Sequence, residues 1–171
     1  ATAAVLNVTG GGNTIDATTA TVVSVSGTNG TADTINVSND AFGAQTWNQQ
    51  WSGIYLRNSV AATVNGTNNG INIASSDTLT INGSGNTVTA TGTSDTFVYG
   101  SGFGTQSISG FSTATDVVSL ASSEFANFAT VLADATNSGS NVVIHGANSD
   151  YLTLIGINKA SLVASDFSFH A

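Results

Sequence analysis

One phrase recurs along the first hundred residues: apolar–x–Gly–x–x–Asn or Asp–x–apolar. It runs from Val8 to Ile15, from Val64 to Ile71, from Ile81 to Val88 and from Ala90 to Phe97. A stretched copy joins Val25-Ser26-Gly27 to Asp33-Thr34-Ile35. Val8 and Val25 are 17 positions apart, and so are Val64 and Ile81. Short strand-like runs lie between the turn phrases: Thr21 to Val25, Ile35 to Val37, Ile71 to Ile73, Thr78 to Ile81 and Thr96 to Tyr99. A fixed period of this kind is the mark of a solenoid, in which each repeat buries its apolar face only by stacking on its neighbour.

The spacing predicts an all-β chain, a parallel β-roll or β-helix in which every coil lays down two or three short strands. Gly and Asn suit its corners because they adopt positive φ at little cost. Alternation turns Ile71, Ile73, Leu79 and Ile81 inward and Asn72 and Thr80 outward, where stacked Asn and Thr would form ladders. An antiparallel sandwich with a turn every 8 to 12 residues is the competing architecture. It does not require the same phrase at a constant offset.

Composition bears on what such a solenoid can do. The 171 residues include 2 Lys plus Arg against 10 Asp plus Glu, a formal net charge of -8. Two basic side chains cannot neutralise enough phosphates for nucleic-acid binding. The absence of Cys removes disulfides and thiolate metal sites. No apolar run is long enough for a transmembrane segment. No catalytic motif stands out around His145, His170 or Glu124, and the expectation is a protein that is not an enzyme.

The segment 39–58 departs from the repeat. It holds Phe42, both Trp residues (Trp47 and Trp51), Tyr55, Leu56 and the only Arg, Arg57. It reads as an insertion emerging on one face of the solenoid. Two roles suit it: a flap packed over the roll, or a contact patch in which Trp47, Trp51, Tyr55 and Arg57 meet a sugar or a neighbouring subunit.

From Asp95 the chain changes character. Asp95 to Tyr99 leads into Gly102-Phe103-Gly104, then Ile108 to Phe111 and Asp116 to Leu120. A helix is predicted next, capped by Ser122 or Ser123, with Glu124 in its first turn and Phe125, Phe128, Val131 and Leu132 as its apolar stripe. Asn137-Ser138-Gly139 would end it. A hairpin follows from Asn141–His145 and Tyr151–Ile155, and Phe167 and Phe169 close the chain. The expected division is a solenoid over 1–100 and a cap over 101–171, continuous with it.

This order closely resembles the C-terminal end of haemolysin-type (RTX) proteins, which bacteria export by type I secretion. In that family an Asp-x-Phe-x-Phe-like coil, Gly-Phe-Gly, an Ile-x-x-Phe strand and an Asp-x-Ile-x-Leu strand precede a Phe/Ala-rich helix, a Val-Ile hairpin and a terminal Asp-Phe-x-Phe. The match spans Asp95 to Phe169; upstream only the rhythm is shared. It implies a secreted protein, extracellular or on a bacterial surface. A start at Ala1 without a signal peptide fits that route.

Family coils bind Ca²⁺ through Gly-Gly-x-Gly-x-Asp repeats. Here Asn13, Asn69 and Asn86 stand where the acid would be, and Gln106 lies where another is expected. The roll is therefore expected to need no cofactor, with calcium an option at Asp95 and Asp116; capping of turns by those carboxylates is the equal alternative. With open strand edges and few charges to blunt them, the expected role is structural: a homopolymer assembled head-to-tail into a filament or layer. A carbohydrate-binding adhesin recognising surface polysaccharide, or a non-catalytic tail domain, is the alternative.

Overall fold

The computed structural model describes residues 61–171 throughout, together with six upstream strands; of those strands only the backbone is described, apart from the side chains of Thr14, Ile54 and Leu56. The six are β1 (Ala4–Thr9), β2 (Thr14–Ala17), β3 (Thr21–Ser26), β4 (Thr34–Ser38), β5 (Gln45–Gln50) and β6 (Gly53–Arg57). The repeat continues through β7 (Ala61–Thr67), β8 (Gly70–Ile73), β9 (Thr78–Asn82), β10 (Asn86–Ala90), β11 (Thr96–Tyr99), β12 (Thr105–Ser109) and β13 (Val117–Ala121). Then come helix α1 (Phe128–Asp134), β14 (Ala135–Ser138), β15 (Asn141–His145), β16 (Tyr151–Ile155) and β17 (Phe167–His170).

Strands are dealt alternately to two sheets, as a roll with two strands per coil requires. The 8-stranded sheet has the order β1-β3-β5-β7-β9-β11-β13-β17. The 9-stranded sheet runs β2-β4-β6-β8-β10-β12-β16-β15-β14. All pairings are parallel except β14 with β15 and β15 with β16. The chain is thus a parallel β-solenoid with one short helix, and the antiparallel sandwich is excluded.

Period-2 alternation fills the space between the sheets. In the 9-stranded sheet Ile54, Ile71, Val88, Ile108 and Leu154 stack in register. In the other, Val64, Ile81, Tyr99 and Leu120 do the same. All nine are buried to 1% exposure or less. Each such aliphatic side chain contributes roughly 1.5–3 kcal/mol by leaving water. Asn72 and Thr80 are only part-buried, as the alternation predicts. Corners depend on glycine where coils approach closely. Gly83 has φ +119, and a Cβ there would run into the carbonyl oxygen of Gly66 one coil earlier.

Three expectations are corrected. Within 39–58 the described residues 45–50 and 53–57 stay in the roll rather than leaving it as an insertion: β5 pairs with β3 and β7, and β6 with β4 and β8. The segment's aromatic residues broke the repeat phrase, but the backbone ladder tolerates them. The helix starts later than expected. Asn127 caps it, accepting from the Thr130 amide at 3.1 Å. Residues 122–124 instead form a turn in which the amides of Glu124 and Phe125 donate to the carbonyl of Ala121. Finally, Asn137-Ser138-Gly139 does not end the helix. Gly139 (φ +62) turns the chain between Ser138 and Asn141, which pair across a hairpin. β14 is therefore a strand that the sequence pattern does not announce, whereas the β15–β16 hairpin is found as predicted.

Candidate functional site: two buried polar columns

Two columns of polar side chains run inside the roll, one at each corner where the chain passes between sheets. The first begins with Asn69, Asn86 and Gln106, each 1% exposed. Asn86 Oδ1 accepts from the Asn69 backbone amide at 2.9 Å and from Asn69 Nδ2 at 3.0 Å. Asn86 Nδ2 donates to the carbonyls of Gly66 and Gly83 at 3.1 and 3.3 Å. Gln106 Nε2 donates to the carbonyl of Gly83 and, at 2.7 Å, to that of Phe103. Carboxamides suit this corner because each presents donors and acceptors together. One coil further on, Asp150 accepts from the amides of Phe103 (3.0 Å) and Gly104 (2.7 Å).

The second column is acidic: Asp77, Asp95 and Asp116; after the long C-terminal excursion Asp166 is buried as well, one position out of step with them, since Phe167 pairs with Val118. All four are buried to 2% exposure or less. Asp95 Oδ1 accepts from the Asp77 amide at 2.9 Å, and Asp116 Oδ1 from the Asp95 amide at 3.1 Å. Each carboxylate also closes its own turn, except Asp95: Asp77 Oδ2 takes the amide of Ala74, Asp116 Oδ2 that of Ser112, and Asp166 Oδ2 that of Val163. Asp95 Oδ2 and Asp166 Oδ1 are buried with no partner. Burial pushes the Asp95 carboxyl up to about 6, opposed by the hydrogen bond from the Asp77 amide and reinforced by the charges of Asp116 and Asp77. Burial also raises Asp166.

Asp95 and Asp116, the positions left open for calcium, therefore do lie together. Three of their four oxygens accept from backbone amides, and the fourth, Asp95 Oδ2, has no partner. Calcium needs six to eight oxygens around one point. Among the described residues, no group of three or more His, Asp or Glu side chains is arranged to hold a metal ion. The residues as placed do not fit a calcium site.

The remaining singled-out positions are dispersed. Trp47 lies on β5 in the 8-stranded sheet, in register with the buried Val64. Tyr55 and Arg57 lie on β6 in the other sheet, in register with Asn72 and with Ser38 respectively. Trp51 lies outside the described residues, as do Asn13 and Asp33; the side chains of Trp47, Tyr55 and Arg57 are also outside them. His145 is exposed, its Nε2 2.9 Å from Thr136 Oγ1 and its ring edge-on to Tyr151. His170 Nδ1 is 3.0 Å from Ser119 Oγ. Among the described residues no carboxylate orients that imidazole from its other nitrogen, so the pair lacks the third member of a hydrolase triad.

The sequence reading missed one contact between carboxyl groups. Glu124, expected inside the helix, reaches the hairpin: its Oε1 accepts from the Ala147 amide at 2.7 Å while Oε2 is buried without a partner. Burial first, then the neighbouring Asp150 charge, raise its pKa. No local motif announces this, because the two acids are 26 positions apart. Asp166 lies in the terminal Asp-Phe-x-Phe run, but its spacing to Phe167 differs from that of Asp95 to Phe97, and nothing in the repeat phrase marks it as a buried carboxylate. No protein-family model matches the chain, and no curated protein matches it.

Proposed function

We propose that this is a secreted structural protein of a bacterial surface or matrix, whose copies join end to end through the 8-stranded sheet. The buried polar columns are the scaffold of the roll, and the working surface is the two outermost strands of that sheet. The observation that carries this is the strand order. The 8-stranded sheet is bounded by β1 and β17, each with a partner on one side only among the described residues. Every pairing inside that sheet is parallel, so β1 of one copy laid against β17 of the next continues the same sense. Neither strand contains Asp, Glu, Lys or Arg, the charges that ordinarily blunt sheet edges.

The 9-stranded sheet is less suited to the joint. Its terminal strand β14 has the carbonyl of Ala135 already taken by Lys159 Nζ at 2.8 Å. Secretion rests on the resemblance of Asp95 to Phe169 to the exported haemolysin-type ends. Sedimentation velocity and negative-stain electron microscopy of the native protein test the assembly. Concentration-dependent oligomers, lost in Val5→Lys with the far-UV circular dichroism unchanged, are expected. A strict monomer at high concentration would overturn it. Glycan binding abolished by Trp47→Ala, with the fold retained, would replace it with the adhesin role.

A further inference from the structure

A cleft of about 400 Å³ opens between α1, β14 and the turn that follows β16. Its walls are Leu132, Ala160 and Leu162, and its polar rim is Asn137, Asn158 and Lys159. That volume is in the range of small-molecule sites. We propose that this cleft binds a small monocarboxylate with an apolar tail, the carboxylate on Lys159 and Asn158 and the tail against Leu132 and Leu162. It is independent of end-to-end assembly.

The hydrogen bonds of the rim decide the ligand's chemistry. Asn137 Oδ1 accepts from the Lys159 amide at 2.8 Å. Asn158 Oδ1 accepts from the Ala160 amide at 3.0 Å and from Asn137 Nδ2 at 3.4 Å. Both side-chain acceptors are thus engaged within the turn. The capacity left over is mostly donor: two of the three N–H groups of Lys159, the Nδ2 of Asn158 and the second N–H of Asn137. A rim of spare donors beside leucine side chains selects an acceptor-rich head on an apolar body.

Charge narrows the class further. The chain has ten acidic residues and two basic ones, yet among the described residues no carboxylate pairs with Lys159. Its one partner there is the carbonyl of Ala135. An ammonium flanked by apolar walls gains more from an anion than it would in open water. The net charge of -8 disfavours di-acids and phosphates, which a single lysine cannot offset. One negative charge is the compatible number.

Titration of the full isotopically labelled chain with hexanoate, followed by amide NMR, tests the site. Saturable shifts are expected at the backbone amides of Asn137 and Ala160 and at the side-chain amide of Asn158. Hexanol, with the same tail and no charge, should bind about tenfold more weakly or worse, the size of one lost charge-assisted hydrogen bond. Acetate, with the charge and no tail, should also bind more weakly. Lys159→Gln should reduce hexanoate binding by a similar factor. Because Lys159 also holds the Ala135 carbonyl, that variant can lose its fold; the hexanoate and hexanol comparison on the unaltered protein then decides alone. Absence of saturable shifts, or equal binding of acid and alcohol, would overturn the proposal.

Discussion

Replacing Asp95 by Asn should stabilise the protein above neutral pH and leave it no more stable in mild acid. The reason lies in the acidic column. Asp95 is fully buried between the carboxylates of Asp77 and Asp116, and one of its oxygens has no partner. Its pKa rises from 3.8 to about 6. A carboxyl whose pKa is raised by folding holds its proton more tightly in the folded state. The associated stability is complete below about pH 3.8 and drains away as the pH climbs through about 6. At about 1.4 kcal/mol per pKa unit, the loss between those limits is about 3 kcal/mol. The substitution removes the charge and keeps Oδ1 for the Asp77 amide. The corner opposite shows that carboxamides accept this coil spacing, since Asn86 Oδ1 accepts there from both the backbone amide and the Nδ2 of Asn69.

The new Nδ2 inherits a place without an acceptor, a cost of about 1–2 kcal/mol. The expected net gain at pH 8 is therefore about 1–2 kcal/mol, or a few degrees in melting temperature. Urea unfolding at pH 4.5 and pH 8 measures it. The unaltered protein should itself be more stable at pH 4.5 than at pH 8, and the raised carboxyls of Glu124 and Asp166 act in the same direction. If Asp95→Asn destabilises the protein at pH 8, or has an effect of equal size at both pH values, the reasoning is refuted.

Two further outcomes follow from the columns. Asn86→Ala strips the Asn86 oxygen from the Asn69 amide and the Asn86 donor from the carbonyl of Gly66, while the carbonyl of Gly83 keeps Gln106 Nε2; a loss of about 2–4 kcal/mol is expected in the same unfolding assay. Exchanging millimolar Ca²⁺ for EDTA should leave the melting temperature unchanged at pH 7, because three of the four Asp95 and Asp116 oxygens are held by backbone amides. A calcium-dependent rise of several degrees would mean that the column reorganises around the ion.

Much of the roll was legible because its information is periodic. The 17-residue offset, the Gly–x–x–Asn phrase and the inward Ile and Leu positions are local and repeat, so each copy corroborates the next. The reading failed where local signals compete. Ser122, Ser123 and Glu124 look like a helix start, yet Glu124 is drawn to the hairpin amide of Ala147 and the cap moves to Asn127. Asn137-Ser138-Gly139 is a fair helix stop and an equally fair hairpin turn; pairing with β15 chooses between them. The aromatic content of 39–58 hid two strands that the ladder simply continues. Of the candidate site, Asn69, Asn86 and Asp95 could be picked out from their places in the phrase, and Asp116 from the resemblance.

The sequence by itself determined a stacked parallel β architecture and a chemistry poor in charge. Hydrophobic alternation and corner residues are properties of short windows, and the period aligns the windows. Only the tertiary structure decided what the buried polar groups do. Whether Asp95 meets a cation, an amide or another carboxylate depends on which atoms the neighbouring coil places within hydrogen-bond distance. The same holds for the Glu124–Asp150 contact and for Lys159, whose ammonium donates to a carbonyl 24 positions away. Electrostatics and hydrogen bonding act through space over a few ångströms, and nothing in the spacing of residues along the chain specifies those distances.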